Sequence, residues 1–224
     1  KNYMNKIIAI IASLMLTTSA FAGSYGVGVS GSVFNISADV KEVTSSSDTY
    51  SGSDTHTGTV ENDLVPIPAI FAEYNTDYFG ITVGLEYIPG SADISKNMQS
   101  RTETPASGTN ESTATNYKAN ASVEDIYTVY VEVPMGSNGL YVRGGMMELD
   151  VITDESGVQS YGNATADGIT YGIGWKSGTD AGLNYKLSYE VIDLDTVSIT
   201  GASSHTVSGD IDTAGVKFSL AYNF

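Results

Sequence analysis

The sequence predicts an all-β fold, an eight-stranded antiparallel up-and-down transmembrane β-barrel with long extracellular loops and short turns at the opposite end. Three observations carry this. The last twelve residues alternate without a break, with Ala214, Val216, Phe218, Leu220, Tyr222 and Phe224 set against Gly215, Lys217, Ser219, Ala221 and Asn223. A strand built from them has one wholly apolar face. The other end of the chain is an export leader: Lys1 and Lys6 flank a polar start, Ile7 to Leu16 is an apolar-rich run, and Ala20-Phe21-Ala22 is a small-x-small cleavage site. That run is too short to cross a bilayer as a helix, which needs about 20 residues. The third observation is that long and short connections alternate strictly along the chain.

Cleavage after Ala22 divides the chain into a leader, 1–22, and a single barrel domain, 23–224; Met4 is a candidate initiator. The chain has no cysteine, 24 glycines and 15 tyrosines, a composition that suits many short strands and fits a helical bundle poorly. The formal charge of −16 excludes nucleic acid as a partner, because phosphate binding needs a basic surface.

Alternation between turn signals predicts eight strands. The first, Gly23 to Asp39, sets Tyr25, Val27, Val29 and Val33 against Gly26, Gly28, Ser30 and Ser32. The second, Leu64 to Asn75, carries Pro66 and Pro68, which cannot donate to a ladder and are expected at the outer rim. Strand three, Tyr78 to Ser91, opposes Phe79, Ile81, Val83, Leu85 and Tyr87 to Gly80, Thr82, Gly84 and Glu86. Val123 to Val133 and Leu140 to Ile152 form strands four and five around a Pro-Met-Gly-Ser-Asn-Gly turn. Gly168 to Lys176 is the sixth, the seventh begins at Leu183, and the segment from Thr213 closes the set. Roughly 23, 30, 15 and 18 residues make the long connections and about three to six the short ones.

The leader, the alternating strands, the segregated loops and the terminal Phe224 resemble the small outer-membrane β-barrels of Gram-negative bacteria, the group of OmpA transmembrane domains, OmpX-like and opacity-type surface proteins. The resemblance implies export by the Sec pathway to the outer membrane, contact with its lipid and lipopolysaccharide, and a monomer. It also implies that the outer-membrane assembly machinery reads the terminal strand, whose matching positions are Phe218, Leu220, Tyr222 and Phe224. The peptidoglycan-binding domain of full-length OmpA proteins is not expected here.

Charges on the polar faces mark the lumen. Glu73, Glu86, Glu132 and Glu190 share that parity with Arg143, Lys176, Lys186 and Lys217, and the eight sum to zero. An eight-stranded barrel is just wide enough to be filled by side chains, and buried charges need partners. A salt-bridged plug is therefore expected, with Glu132, Arg143 and Lys186 near the periplasmic end and Glu86, Glu190 and Lys217 nearer mid-barrel. The alternative for these charges is a narrow water-filled pore. Tyr25, Tyr74, Phe79, Tyr185, Tyr222 and Phe224 are expected to form an aromatic girdle at the periplasmic interface.

Of the 26 acidic residues, four are luminal and Asp77 and Asp180 fall in short turns, which leaves 20 on the extracellular side with Lys41, Lys96, Arg101 and Lys118. Such a surface attracts divalent cations, although Asp193, Asp195, Asp210 and Asp212 show no spaced calcium-loop pattern and no metal site or cofactor is expected. Ser, Thr and Asn dominate 43–59 and 100–122, read as loops with little fixed structure. Asn110, Asn120 and Asn163 match glycosylation acceptors by spacing alone. The chain's two histidines, His56 and His205, both fall in loops as read, so no catalytic residue is assigned and a lipid A-modifying enzyme is a remote alternative. The expected role is structural or surface-interactive: adhesion, phage reception or shielding. The runner-up is a narrow channel, for ions through the lumen or for apolar molecules leaving laterally as in OmpW-like barrels.

Overall fold

The computed structural model describes residues 23–43, 55–77, 79–94, 99–103, 115–156, 161–178, 181–201 and 206–224. Among the described residues every element is a strand: β1 (Gly23–Val43), β2 (Thr55–Thr76), β3 (Thr82–Asp93), β4 (Gln99–Glu103), β5 (Thr115–Pro134), β6 (Leu140–Ser156), β7 (Ala164–Ser177), β8 (Gly182–Leu194), β9 (Val197–Thr200) and β10 (Thr206–Asn223). All pairings are antiparallel. The ring runs β1-β2-β3-β5-β6-β7-β8-β10 and closes where β10 returns to β1, from Gly26 opposite Asn223 to Val43 opposite Thr206. The eight strands of the ring match the eight expected. The two additional short pieces cap it: β4 pairs with β5, and β9 with β10.

The strands are longer than their alternation suggested. β1 has 21 residues and β2 has 22, whereas a tilted strand crosses a bilayer in about 9–11. At about 3.3 Å per residue β1 reaches roughly 70 Å, so the barrel wall continues well beyond the membrane. Segments read as unstructured loops are therefore partly wall: 55–59 belongs to β2, 99–103 is β4 and 115–122 is the start of β5. His56 lies on β2 opposite Glu42 instead of in a loop. His205, Lys96, Asn110 and the leader with Ala20 and Ala22 lie outside the described residues.

Along β1 the polarity of the two faces inverts. In the half near Gly23, the outward residues are Tyr25, Val27, Val29 and Val33, and the inward ones are Gly26, Gly28, Ser30 and Ser32. Beyond Val33 the outward positions are Asn35, Ser37, Asp39 and Lys41, while Phe34, Ile36 and Ala38 are buried inside. β8 repeats this, with outward Tyr185, Leu187 and Tyr189 giving way to Asp193 as inward Lys186, Ser188 and Glu190 give way to Ile192 and Leu194. The exposed apolar belt is the lipid-facing band. Above it, the barrel is polar outside and apolar inside.

Bulges mark the boundary on three adjacent strands. The register slips between Phe34 and Ile36 of β1 against β2, between Ile88 and Ser91 of β3 against β5, and between Glu124 and Tyr127 of β5 against β6. Each carries a left-handed residue, respectively Leu64, Gly90 and Asp125. Such bulges kink a strand and increase its local twist. The Leu64 amide donates to Asn35 Oδ1 at 3.1 Å, so a side chain closes the break in that ladder.

The wall itself is incomplete between β2 and β3. Their ladder runs only from Asn75 opposite Thr82 to Ile70 opposite Tyr87. Beyond that point β2 keeps its pairing with β1 and β3 keeps its pairing with β5, and the Asn62 side chain reaches across to donate to the Asp93 carbonyl at 2.8 Å. Pro66 and Pro68 sit on this unpaired edge, with Pro89 on the facing strand. Proline is tolerated where no ladder bond is asked of it, so these two prolines lie in the wall below Asn62 and not at the outer rim where they were expected.

At the periplasmic end the turns are short. The Thr76 amide donates to the Ile81 carbonyl at 2.8 Å and the Met135 amide to the Leu140 carbonyl at 2.7 Å. Aromatic pairs gather here as expected: Tyr25 with Tyr74 at 5.0 Å, Tyr222 with Phe224 at 5.4 Å, and Trp175 with Tyr185 at 5.8 Å. A second aromatic level, unremarked in the sequence, pairs Tyr87 with Tyr127 at 4.8 Å, and the Tyr87 hydroxyl donates to Asp125 at the upper boundary.

Two luminal rings lie directly on glycine. A Cβ on Gly84 would stand 2.1 Å from Tyr130 Cζ, and one on Gly174 would stand 2.4 Å from Tyr141 Cζ. Nothing lies within 4 Å of such an atom at Gly31. Gly84→Ala is therefore expected to cost about 1–3 kcal/mol by overpacking and Gly31→Ala no more than about 0.5 kcal/mol, read as thermal unfolding of the detergent-solubilised barrel. Equal effects would mean that the Tyr130 ring moves aside freely.

Candidate functional site

Seven of the eight ring strands send a charged side chain into the lumen, and β1 supplies only small residues to make room. Glu73 comes from β2, Glu86 from β3, Glu132 from β5, Arg143 from β6, Lys176 from β7, Lys186 and Glu190 from β8, and Lys217 from β10. All eight point inward, as their parity required. Seven of them are buried, and Lys176 keeps about a quarter of its side chain exposed, at 27%.

The contacts form two joined sets. Lys186 Nζ lies 2.5 Å from Glu73 Oε2 and 2.9 Å from Glu132 Oε2. Lys217 Nζ lies 2.7 Å from Glu86 Oε1 and 2.8 Å from Glu190 Oε2. Arg143 links the sets, with its guanidinium 3.5 Å from Glu86, 3.6 Å from Glu190 and 3.9 Å from Glu132. The ladder sets Arg143 directly opposite Glu132, as the sequence suggested, and its guanidinium reaches on to Glu86 and Glu190 of the mid-barrel set. The reason is the length of the arginine side chain, which reaches across the lumen from its β6 position. Lys176 stands at the periplasmic margin, donating to Thr82 Oγ1 at 3.1 Å and lying 3.9 Å from Glu132.

Three uncharged residues complete the layer. The Tyr130 ring stacks under the Arg143 guanidinium at 3.7 Å, and its hydroxyl donates to Glu73 at 3.2 Å. Ser188 donates to Glu190 Oε1 at 2.8 Å. Tyr141, buried on β6, lies beneath Lys176. None of these was singled out from sequence, although each has luminal parity. Four carboxylates facing four cations leave no net charge, which is how such groups avoid the desolvation cost of an unpaired ion.

Below this layer lies an open polar mouth of about 1010 Å³, whose floor includes Glu73, Lys176 and Lys186. Above it the lumen turns apolar: Phe34, Ile67, Ile88, Ile126, Met147 and Ile192 belong to one buried cluster that spans the ring. The sequence reading placed only the salt-bridged plug in the lumen, and this apolar layer goes beyond it. Above it again, at the extracellular end, is a cavity of about 200 Å³ lined largely by Val, Ile and Ala side chains from β1, β2, β5, β6, β9 and β10. The unpaired stretch of wall between β2 and β3 lies beside the apolar layer, with Val65, Ile67, Ala69 and Ile88 buried along its inner side.

Asp193 and Asp212 sit opposite one another in the ladder, Asp210 accepts from Thr196, and among the described residues no cluster of three or more ligating side chains occurs.

The family model of the outer membrane protein β-barrel domain matches residues 8–224. The chain belongs to this family. Its place is accordingly the outer membrane of a Gram-negative bacterium. No curated protein matches the chain in sequence. Among solved structures it is similar to OprG of Pseudomonas aeruginosa, at 12% identity over 91% of this chain and 97% of that one with a TM-score of 0.47. Neisserial surface protein A is similar at 11% identity over 87% and 97%, with a TM-score of 0.36. The outer-membrane protease OmpT of Escherichia coli follows at 9% over 93% and 100%, with a TM-score of 0.41. Likenesses this distant carry no argument about role.

Removing one cation should expose the network's dependence on pairing. Lys186→Met removes the cation beside Glu73, leaves Glu132 only its 3.9 Å contacts with Arg143 and Lys176, and is expected to cost about 3–5 kcal/mol, whereas Lys41→Met at the exposed rim should cost almost nothing. Adding Glu73→Gln to Lys186→Met should recover part of the loss, a coupling that a double-mutant cycle in detergent melts would measure. The pairing account fails if Lys186→Met is no worse than Lys41→Met.

Proposed function

We propose that this protein is a non-conducting outer-membrane barrel whose outer half receives small apolar molecules. One observation carries the reading: the lumen is divided at mid-depth, with a charge-paired layer beneath an apolar compartment. An ion entering from either end meets side chains already satisfied by one another and then a layer with nothing polar to replace its hydration. An apolar molecule meets the reverse, a compartment that welcomes it from outside and a wall beside it in which β2 and β3 are unpaired within reach of the lipid-facing belt. Lateral departure through that stretch is the route this reading assigns.

A second reading, surface interaction or shielding, is favoured by the acidic outer wall, where Asp39, Glu61, Asp93, Asp154 and Asp210 are exposed. Attraction of divalent cations belongs to this reading. The terminal strand supports the assembly role in either case, since Phe218, Tyr222 and Phe224 face outward from the belt.

Planar bilayers test the sealed lumen. The wild-type protein is expected to give no stepwise current, and Arg143→Ala should lower thermal stability without opening a steady conductance, because the apolar layer still closes the path. Regular unitary steps from the wild type would overturn the reading.

A further inference from the structure

The extracellular cavity is walled by aliphatic side chains, among them Val40, Val60, Val151, Ile199 and Ile211. Three residues with polar side chains border it: Asn120, Thr153 and Tyr161. Asn120 pairs in the ladder with the outward, exposed Asp154, while its neighbour Ala121 faces the cavity, so the Asn120 amide belongs to the outer side of the wall. The Tyr161 hydroxyl donates to Glu42 Oε1 at 2.7 Å, and Thr153 Oγ1 donates to the Gly162 carbonyl at 3.3 Å. A hydroxyl has one proton to give, and both of these are already given. The backbone of β1 beside the cavity is paired on both sides, with β2 and with β10. Among the described residues that line the cavity there is no acid and no base.

We propose that this cavity is a binding site for a compact hydrocarbon that carries no polar group. The inference rests on the reading of the outer half as a receiving compartment and narrows it to a chemical class. A cavity with such a lining is a poor host for water and a good one for benzene or xenon. Size is set by the volume of about 200 Å³, which by comparison with benzene in a cavity of about 150 Å³ accommodates about eight non-hydrogen atoms. A small substituted ring fits, and an acyl chain of the surrounding bilayer does not. Polarity is set by what the wall withholds. A hydroxyl or amine carried inside would give up its hydration with no side chain turned to receive it, a cost comparable with all that burying so small a molecule gains. An anion would in addition approach past Asp39 and Asp210 on the outer wall and meet no cation within.

Methylcyclohexane, cyclohexanol and cyclohexylamine are matched in size and differ in one group, so they separate these requirements. Each is titrated into the methyl-labelled full chain in lipid nanodiscs, with affinity referred to its free aqueous concentration. The methyl resonances of Val40, Val151 and Ile199, which line the cavity, report binding, and those of Val27 and Val29, exposed on the belt, report partition into lipid. Methylcyclohexane is expected to give saturable shifts at the cavity methyls. Cyclohexanol should bind more than about a hundredfold more weakly, the cost of burying a hydroxyl that finds no partner, and cyclohexylamine more weakly still. Ala38→Leu on β1 and Ala121→Leu on β5 each fill the cavity and should abolish the saturable shifts while the belt methyls respond as in the wild type. The two substitutions lie on different strands, so one that fails to fold leaves the other to decide. A smaller penalty for cyclohexanol, tighter binding of cyclohexylamine than of cyclohexanol, or unchanged methylcyclohexane binding in a folded filling variant would overturn the hydrocarbon assignment while leaving an apolar compartment in place. If none of the three probes gives saturable shifts at the cavity methyls, the receiving-compartment reading itself fails.

Discussion

Each strand of this barrel passes from one solvent into another, and that passage determines nearly everything else about the lumen. Where the wall faces lipid, outward residues must be apolar and the inward ones are free to be charged. Where it faces water, outward residues are polar and the inside must supply the apolar core that a water-exposed sheet requires. β1 shows the exchange within two residues: Val33 points out into the belt and Phe34 points into the core. The division of the lumen into an ionic and an apolar layer is thus the interior image of the membrane boundary.

The ionic layer follows from the lower half of that constraint. With lipid outside, the lower strands place their polar positions in a lumen only wide enough for side chains, so every charge put there must find an opposite one. Glycine on β1, β3 and β7 makes the room: Tyr130 and Tyr141 can lie flat on Gly84 and Gly174 because those positions have no Cβ. Tyr130 in turn supports Arg143 from below and donates to Glu73, tying the two halves of the network together. The glycines that looked in the sequence like generic β-barrel filler are seats for specific rings.

How far the sequence could be read depended on which solvent a segment faces. The ring of eight, the closure through the terminal strand and the inward parity of all eight charges were legible, because in the lipid zone the apolar residues keep one phase from end to end. The upper wall was not legible, and the loss has a physical cause. At Val33-Phe34 and Val191-Ile192 the apolar series shifts by one residue, and on β2 and β5 bulges shift the backbone as well. A period-two pattern that changes phase looks like a strand ending, so wall reads as loop. Residues such as Ile36, Ile192 and Ile211, which build the apolar core, consequently carry no core signal in the sequence. The reach of Arg143 into the mid-barrel set is not legible for a different reason, since parity fixes a side chain's direction and its length decides where the charge arrives.

The prolines show how a local rule gains meaning from its position in the closed sheet. Proline in a strand demands an unpaired edge, and in a barrel every strand has a neighbour on both sides, so Pro66 and Pro68 could be accommodated only if the barrel gave up part of a ladder. It does so between β2 and β3, with Asn62 bridging the far end of the opening to Asp93. Losing pairing there exposes backbone groups that lipid cannot satisfy, and the loss falls at the upper part of the belt, near the polar boundary marked by Asp63 and the outward Asn35. Lower down, beside the ionic layer, the ladder between the same two strands is intact from Ile70 to Asn75. The wall is therefore continuous where charges must be kept from lipid and discontinuous only where apolar side chains lie behind it.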